Sequence, residues 1–223
     1  MIKWKNKNFS ELGIIVEQIP TISKAKKKIE VMQVAGRNGF VSIDTGAYEP
    51  FSLTLSCHCT DNANLDEIKA FLDGYGTLSL DGIRQYTAIV DNAIPLTTIL
   101  PIFKKFPVRF LVNPIAEDIT ATTANLLSAS ELSITTYATI YPTLTITCSG
   151  DVSITINNQT FYLSDTNGTY TLDCKNKIIK DSNNNNASGL MSGDFPTFKN
   201  GTNAISKTGT ITAFTTTYKK TYL

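Results

Sequence analysis

One histidine, one tryptophan and four cysteines are all that this 223-residue chain holds of those side chains, and arginine stops at Arg109. Each shortage excludes something. With His58 the sole histidine, any Ser-His-Asp or Cys-His triad must run through it, and no Gly-x-Ser-x-Gly elbow exists to present a nucleophile. His58 lies between Cys57 and Cys59, which invites a zinc reading. On a strand, however, the two cysteines face one side and the histidine the other, so three adjacent residues cannot close on one ion. Small buried thiols with an outward histidine are expected. Cys148 and Cys174 read as two free core cysteines rather than a pair, and four cysteines are too few for a disulfide framework. A glycosidase-type carboxylate pair leaves no sequence signature, but only 6 acidic residues lie beyond Asp118. Neither catalysis nor a cofactor or metal is expected.

Long apolar runs are missing as well. The longest, Ile94–Phe103, is broken by Pro95 and Pro101, so no membrane span is expected. The first twenty residues carry lysines but no apolar core followed by small residues, so no secretory leader is expected. In that setting the Asn-x-Ser/Thr sequons at Asn8, Asn158, Asn167, Asn186 and Asn200 follow from composition alone. Charge of one sign is also lacking. Lys+Arg 20 against Asp+Glu 19 gives +1, with mean hydropathy −0.04. Near-neutrality argues against gripping duplex DNA, where each neutralised phosphate needs a cation. It argues equally against disorder. A chain of this mass folds to a surface of roughly 10,000 Å² from about 35,000 Å² unfolded, ample for a core even if split in two.

What is present is β-sheet patterning. Thr, Ile, Val, Tyr and Phe alternate with polar residues in short runs closed by Gly, Asn, Asp or Pro, as in 51–57, 144–148, 152–156 and 161–163. Asn157-Asn158-Gln159 predicts a hairpin, and Asp165-Thr-Asn-Gly168 a second turn. One helix is predicted near 65–73: Asn64 caps it, Asp66 and Glu67 occupy its first turn, Leu65, Ile68, Phe71 and Leu72 line one face, and Gly74 closes it. Leu126–Leu132 reads as loop or strand. The Asn183–Asn186 tract reads as a polar loop.

Composition shifts near residue 114. Residues 1–113 hold 13 of the 20 basic residues, whereas the chain beyond is rich in Thr, Ser and Asn with only 7 Lys. We read a mainly β protein: a mixed domain with one short helix at 1–113, a connecting segment at 114–141 bracketed by Pro114 and Pro142, and an all-β domain at 142–223. Gly36, Arg37 and Gly39 form a glycine-rich turn outside any strand-then-helix phosphate motif, so positive φ rather than phosphate binding explains the glycines. The Lys24–Lys28 run, flanked by Ile22, Ile29 and Val31 in strand fashion, reads as a solvated strand or loop.

Taken in order, these turns resemble a known family. Phe9 and Gly13 come first, then a proline, Val-Ala-Gly-Arg-Asn-Gly at 34–39 and Gly46-x-Tyr48. A helix ending in Phe71-Leu72 follows, then Gly76-Thr-Leu78 with Tyr86-Thr-Ala-Ile89, and Phe110 near Asn113-Pro114. Later come Tyr141-Pro-Thr-Leu-Thr-Ile, Ser149-Gly150 and Tyr170-Thr-Leu-Asp173, and finally Asp194-Phe195-Pro196, Gly201-x-Asn203-x-Ile205 and Gly209. The pattern resembles the distal tail proteins of long-tailed bacteriophages and phage-derived tail-like particles, over essentially the whole chain.

That resemblance implies an N-terminal β-barrel or sandwich-like domain that assembles into a homo-hexameric ring, and a galectin-like β-sandwich outside it. It places the protein at the virion tail tip or baseplate, made in the bacterial cytoplasm. The ring would join the tail tube protein to the tip hub, with DNA passing through without specific binding. A +1 subunit suits such a channel. Gly36, Arg37 and Gly39 become candidate oligomer-interface residues, since closed rings use heterologous interfaces. Asp194, Phe195, Pro196, Gly201 and Asn203 become a structural motif of the second domain. Two departures stand out. Val-Ala-Gly-Arg replaces the family's Val-Pro-Gly-Arg, and the 173–195 interval is too short for the inserted arm that holds receptor-binding proteins in some relatives. Two alternative functions are carried. One is a carbohydrate-binding tail module contacting the cell wall, with Tyr162, Tyr170 and Tyr218 as platforms. The other is a tail-tube subunit, against which the two-domain layout argues.

Overall fold

A computed structural model describes residues 2–18, 20–60, 63–94 and 104–223. From Pro95 onward the apolar run noted above lies outside them. The chain divides into two compact units, residues 1–116 with Leu223, and 117–222. No helix among the described residues is long and apolar enough to cross a membrane.

The first unit contains β1 (Lys3–Trp4), β2 (Lys7–Asn8), β3 (Ile14–Val16), β4 (Lys27–Met32), β5 (Val41–Tyr48), β6 (Phe51–Cys59), α1 (Leu65–Phe71), β7 (Tyr75–Ser79), β8 (Arg84–Val90) and most of β9 (Lys104–Asp118). Its sheet runs β2-β1-β7-β8-β9-β6-β3, while β4 and β5 pair only with each other. The alternation in β6 does what the sequence predicts. Leu53, Leu55, Cys57 and Cys59 are buried, and Ser52, Thr54 and Ser56 are exposed. In register opposite them, β9 buries Phe106, Val108 and Phe110. The helix starts at its predicted cap, where the Asn64 side chain accepts from the N–H groups of Asp66 (3.1 Å) and Glu67 (3.4 Å). Ile68 and Leu72 are its buried anchors. Trp4 is fully buried, donates Nε1–H to the Phe71 carbonyl at 2.9 Å and sets its ring edge-on to Phe110, centroids 4.9 Å apart.

The second unit contains β10 (Thr122–Asn125), β11 (Glu131–Ile134), β12 (Thr143–Ile156), β13 (Gln159–Asp173), β14 (Ile178–Asp181), β15 (Met191–Gly193), β16 (Gly201–Tyr218) and β17 (Thr221–Tyr222). Its sheet runs β10-β16-β12-β13-β14, with β11 on β16 and β15 on β13. The stretch expected to connect the domains thus carries β10 and β11, both paired to β16. It also lends Leu126, Ile134 and Ile140 to this unit's core. The predicted hairpin forms, with Ile156 paired to Gln159 and only Asn157 (φ 50°) and Asn158 (φ 68°) in the turn.

The second predicted turn does not form. Asp165–Gly168 lies inside β13. Asp165, at φ 54°, sits where the β12–β13 register shifts between Gly150 and Val152, and its N–H donates to Asp151 Oδ1 at 3.0 Å. The turn chemistry is real, but it serves a bulge that bends a strand rather than reversing it. β12 and β16 shift register at the same level. Leu144, Ile146 and Cys148 before the bend and Val152, Ile154 and Ile156 after it therefore join one core with Phe161, Leu172, Phe198 and Phe214. The mainly β architecture with one helix is as read from the sequence.

The Trp4–Phe110 contact gives a direct readout of the first core. Phe110→Ala should cost about 3–5 kcal/mol and shift the emission of the sole tryptophan to the red. Unchanged emission and denaturation midpoint would count against this packing.

Candidate assembly surface

The Cys-His-Cys run alternates across its strand. Cys57 and Cys59 are buried, and burial pushes the Cys57 thiol up to about 12. His58 turns to the other face, where Nδ1 lies 3.2 Å from Glu17 Oε1. Lys105 reaches the same oxygen at 2.9 Å. Lys105 first, and then His58, holds the Glu17 carboxyl below its usual range against partial desolvation. In the second unit burial likewise raises Cys174 to about 12, and Cys148 is a free buried thiol. Among the described residues no three His, Cys, Asp or Glu side chains are placed to hold a metal ion.

The β4–β5 ribbon is different. In an antiparallel pair, directly opposed residues share a face. Ile29 with Asp44 and Val31 with Ser42 therefore lie on one side, and Glu30 with Ile43 and Met32 with Val41 on the other. Ile29 (48 %), Val31 (58 %), Met32 (53 %) and Ile43 (47 %) are all exposed, as is Phe40 (65 %) near the tip. Apolar side chains stand out on both faces. A solvated ribbon would not carry them, and an isolated two-stranded hairpin is marginal in water. The expectation of a solvated strand for Lys24–Lys28 holds for the lysines but misses these neighbours. The available signal was Ile-Glu-Val-Met-Gln-Val, where apolar residues occupy both alternation phases.

Ion pairs fasten the base of the ribbon. Lys26 Nζ meets Glu49 Oε2 at 3.1 Å, Lys27 pairs with Asp44, and Thr45 Oγ1 donates to the Lys28 carbonyl at 2.6 Å. The candidate interface residues form its tip. The Arg37 N–H donates to the Val34 carbonyl at 3.1 Å. Gly36 (φ 78°) and Gly39 (φ 87°) occupy the left-handed region, which a side chain would strain. Arg37 is exposed.

In the second unit, Asn203 is fully buried and acts as a hub. Its Nδ2 donates to the carbonyls of Leu132 (3.2 Å), Lys199 (3.0 Å) and Gly201 (3.1 Å), and its Oδ1 accepts from the Lys199 N–H at 2.8 Å. Asn157 Nδ2 also reaches Asn203 Oδ1 and the Thr197 carbonyl. Gly201 opens β16, Phe195 packs against the core, and the Asp194 N–H donates to the Thr160 carbonyl at 2.9 Å. Pro196 follows in the buried, irregular stretch before Phe198. Of the candidate saccharide platforms, Tyr170 and Tyr218 are buried at 8 % exposure and offer no stacking face; Phe198 covers the Tyr218 ring edge-on at 5.8 Å. Only Tyr162 is exposed.

Two measurements check this geometry. Asn203→Ala leaves several partly buried backbone groups unpartnered and should destabilise the second unit by about 1–3 kcal/mol; a midpoint within error of the parent would refute the hub. The Asp44 carboxyl is held below its ordinary value by Lys27 and then by the Gly46 N–H, and Asp44 raises Lys27 in turn. A lowered carboxyl adds stability above its unfolded value and loses it as pH falls through the folded one; a raised amine adds stability below its unfolded value and loses it as pH rises through the folded one. Exchange-corrected amide protection of Lys27–Tyr48 should fall below about pH 4 and again above about pH 10.5. Flat protection across that range would exclude the pair as the fastening.

No protein-family model matches the sequence, and no curated protein matches it. Among solved structures the chain is similar to the SPP1 Dit (gp 19.1) protein, described as a paradigm of hub adsorption apparatus in Gram-positive infecting phages. The TM-score is 0.81 at 11 % identity, over 100 % of this chain and 98 % of that one. The chain has the fold of that siphophage distal tail protein.

Proposed function

We propose that the protein is a structural component of a phage tail tip, and that it assembles into a hexameric ring joining the tail tube to the tip hub. The observation that carries this is the ribbon of the first unit, with apolar side chains exposed on both faces. A surface of that kind asks for cover on two sides, which a ring supplies by placing each arm between neighbouring subunits through a heterologous contact. Gly36, Arg37 and Gly39 shape the arm's tip, and Arg37 offers a cation at the contact. The whole-length fold match to Dit supports the same reading. With a formal charge of +1 per subunit, such a ring adds little attraction for passing DNA. The protein would then reside in the virion tail after synthesis in the host cytoplasm, with the tail tube and tip hub proteins as neighbours above and below. The carbohydrate-binding alternative loses two of its three aromatic platforms to the core, and no specific observation favours it.

Light scattering on the purified chain tests the proposal. A hexamer is expected at micromolar concentration, and a strict monomer would overturn self-assembly. Val31→Asp with Ile43→Asp, one charge on each face of the ribbon, should leave the Trp4 emission unchanged and yield monomer. Arg37→Ala should weaken the ring; an unchanged oligomer would remove that role.

A further inference from the structure

We infer that Asn38 is a site of spontaneous deamidation, placed at the tip of the arm. The chain has three Asn-Gly pairs, Asn38-Gly39, Asn167-Gly168 and Asn200-Gly201, and sequence alone makes them equivalent. In this chemistry the backbone nitrogen of the glycine loses its proton to solvent base and attacks Cγ of the asparagine. Ammonia leaves, a five-membered succinimide forms, and water opens it to an aspartyl or isoaspartyl linkage. No reactant beyond water is consumed. The step needs the asparagine side chain and the next peptide nitrogen to swing together, so it runs where both are free.

The structure separates the three. Asn167 and Gly168 are locked in the ladder opposite Ser149 and Cys148, and the Asn167 N–H donates to Tyr170 Oη at 3.3 Å. The Asn200 Oδ1 accepts from the Thr136 N–H at 3.1 Å, and Gly201 is paired opposite Ile134. Asn38 is exposed, lies between the Val34–Arg37 turn and the start of β5, and among the described residues no hydrogen bond or ion pair holds its side chain.

The product places a carboxylate beside Arg37 and cancels the charge of the tip. Its isoaspartyl form also lengthens the backbone of the turn. The effect on assembly rests on the role proposed for the arm; the modification itself does not. In an assembled ring the covered tip would react more slowly than in free subunits.

Incubation of the full chain at mildly alkaline pH, followed by peptide mass mapping with isoaspartate detection, decides the matter. Amide-to-acid conversion should build up at position 38 at least about tenfold faster than at 167 or 200, because the held sites must first open locally. The three rates should converge in denaturant. Equal native rates, or faster conversion at 167 or 200, would overturn the assignment. Asn38→Asp should associate more weakly than the parent chain. Equal association would remove the consequence for the arm while leaving the modification standing, and a parent chain that never associates would remove the ring while the peptide map still decides the site.

Discussion

The pairing of β6 with β9 governs the first unit. Over the nine residues of β6 the register sets Leu53 opposite Phe110, Leu55 opposite Val108 and Cys57 opposite Phe106, so both strands turn the same face to the core. A slip of one residue would send Ser52, Thr54 and Ser56 inward and the whole apolar set outward. Trp4 meets Phe110 on the side that this register defines, and β8 continues the sheet beyond β9. The position of His58 follows from it too, since a residue between two buried cysteines must point away from them.

The same constraint makes the β4–β5 ribbon conspicuous. β6 and β12 each bury one alternation of residues, whereas this ribbon exposes apolar residues on both faces and is fastened at its base by Lys26–Glu49 and Lys27–Asp44. Exposed ion pairs of this sort contribute little stability. They do align the strands, which is what an arm needs if burial by another molecule is to supply the rest. The tip glycines fit that division of labour, because they set backbone direction and add no packing of their own.

In the second unit length is managed by bending. β12, β13 and β16 are too long to remain flat, and the register shifts near Gly150 fold their two halves over one core. Asn203 closes this arrangement. Its amide satisfies three carbonyls and one N–H where the irregular stretch before β16 meets β11, so backbone groups that could not join a ladder are still paired. A side chain with both donor and acceptor is required there, which is why Asn rather than Asp or Leu suits the position.

Strand alternation, the Asn64 cap, the Asn157-Asn158 turn and the outward turn of His58 between buried Cys57 and Cys59 could be read from the chain itself, because each depends on contacts within a few residues or on a period of two. The order of turns was also enough to suggest the fold that the SPP1 Dit match bears out. Other features needed the tertiary structure. Asp165–Gly168 has turn residues in either case, and only the bulges in the paired strands decide that it bends rather than reverses. Tyr162 and Tyr170 lie eight residues apart on one strand, yet the register shift at Asp165 puts one outside and one in the core. The expected connector became part of a sheet because β16 offered it an edge. Burial is a property of the whole chain. For that reason the sequence could supply the apolar residues of the ribbon, but only the folded structure could show that nothing described within the chain covers them.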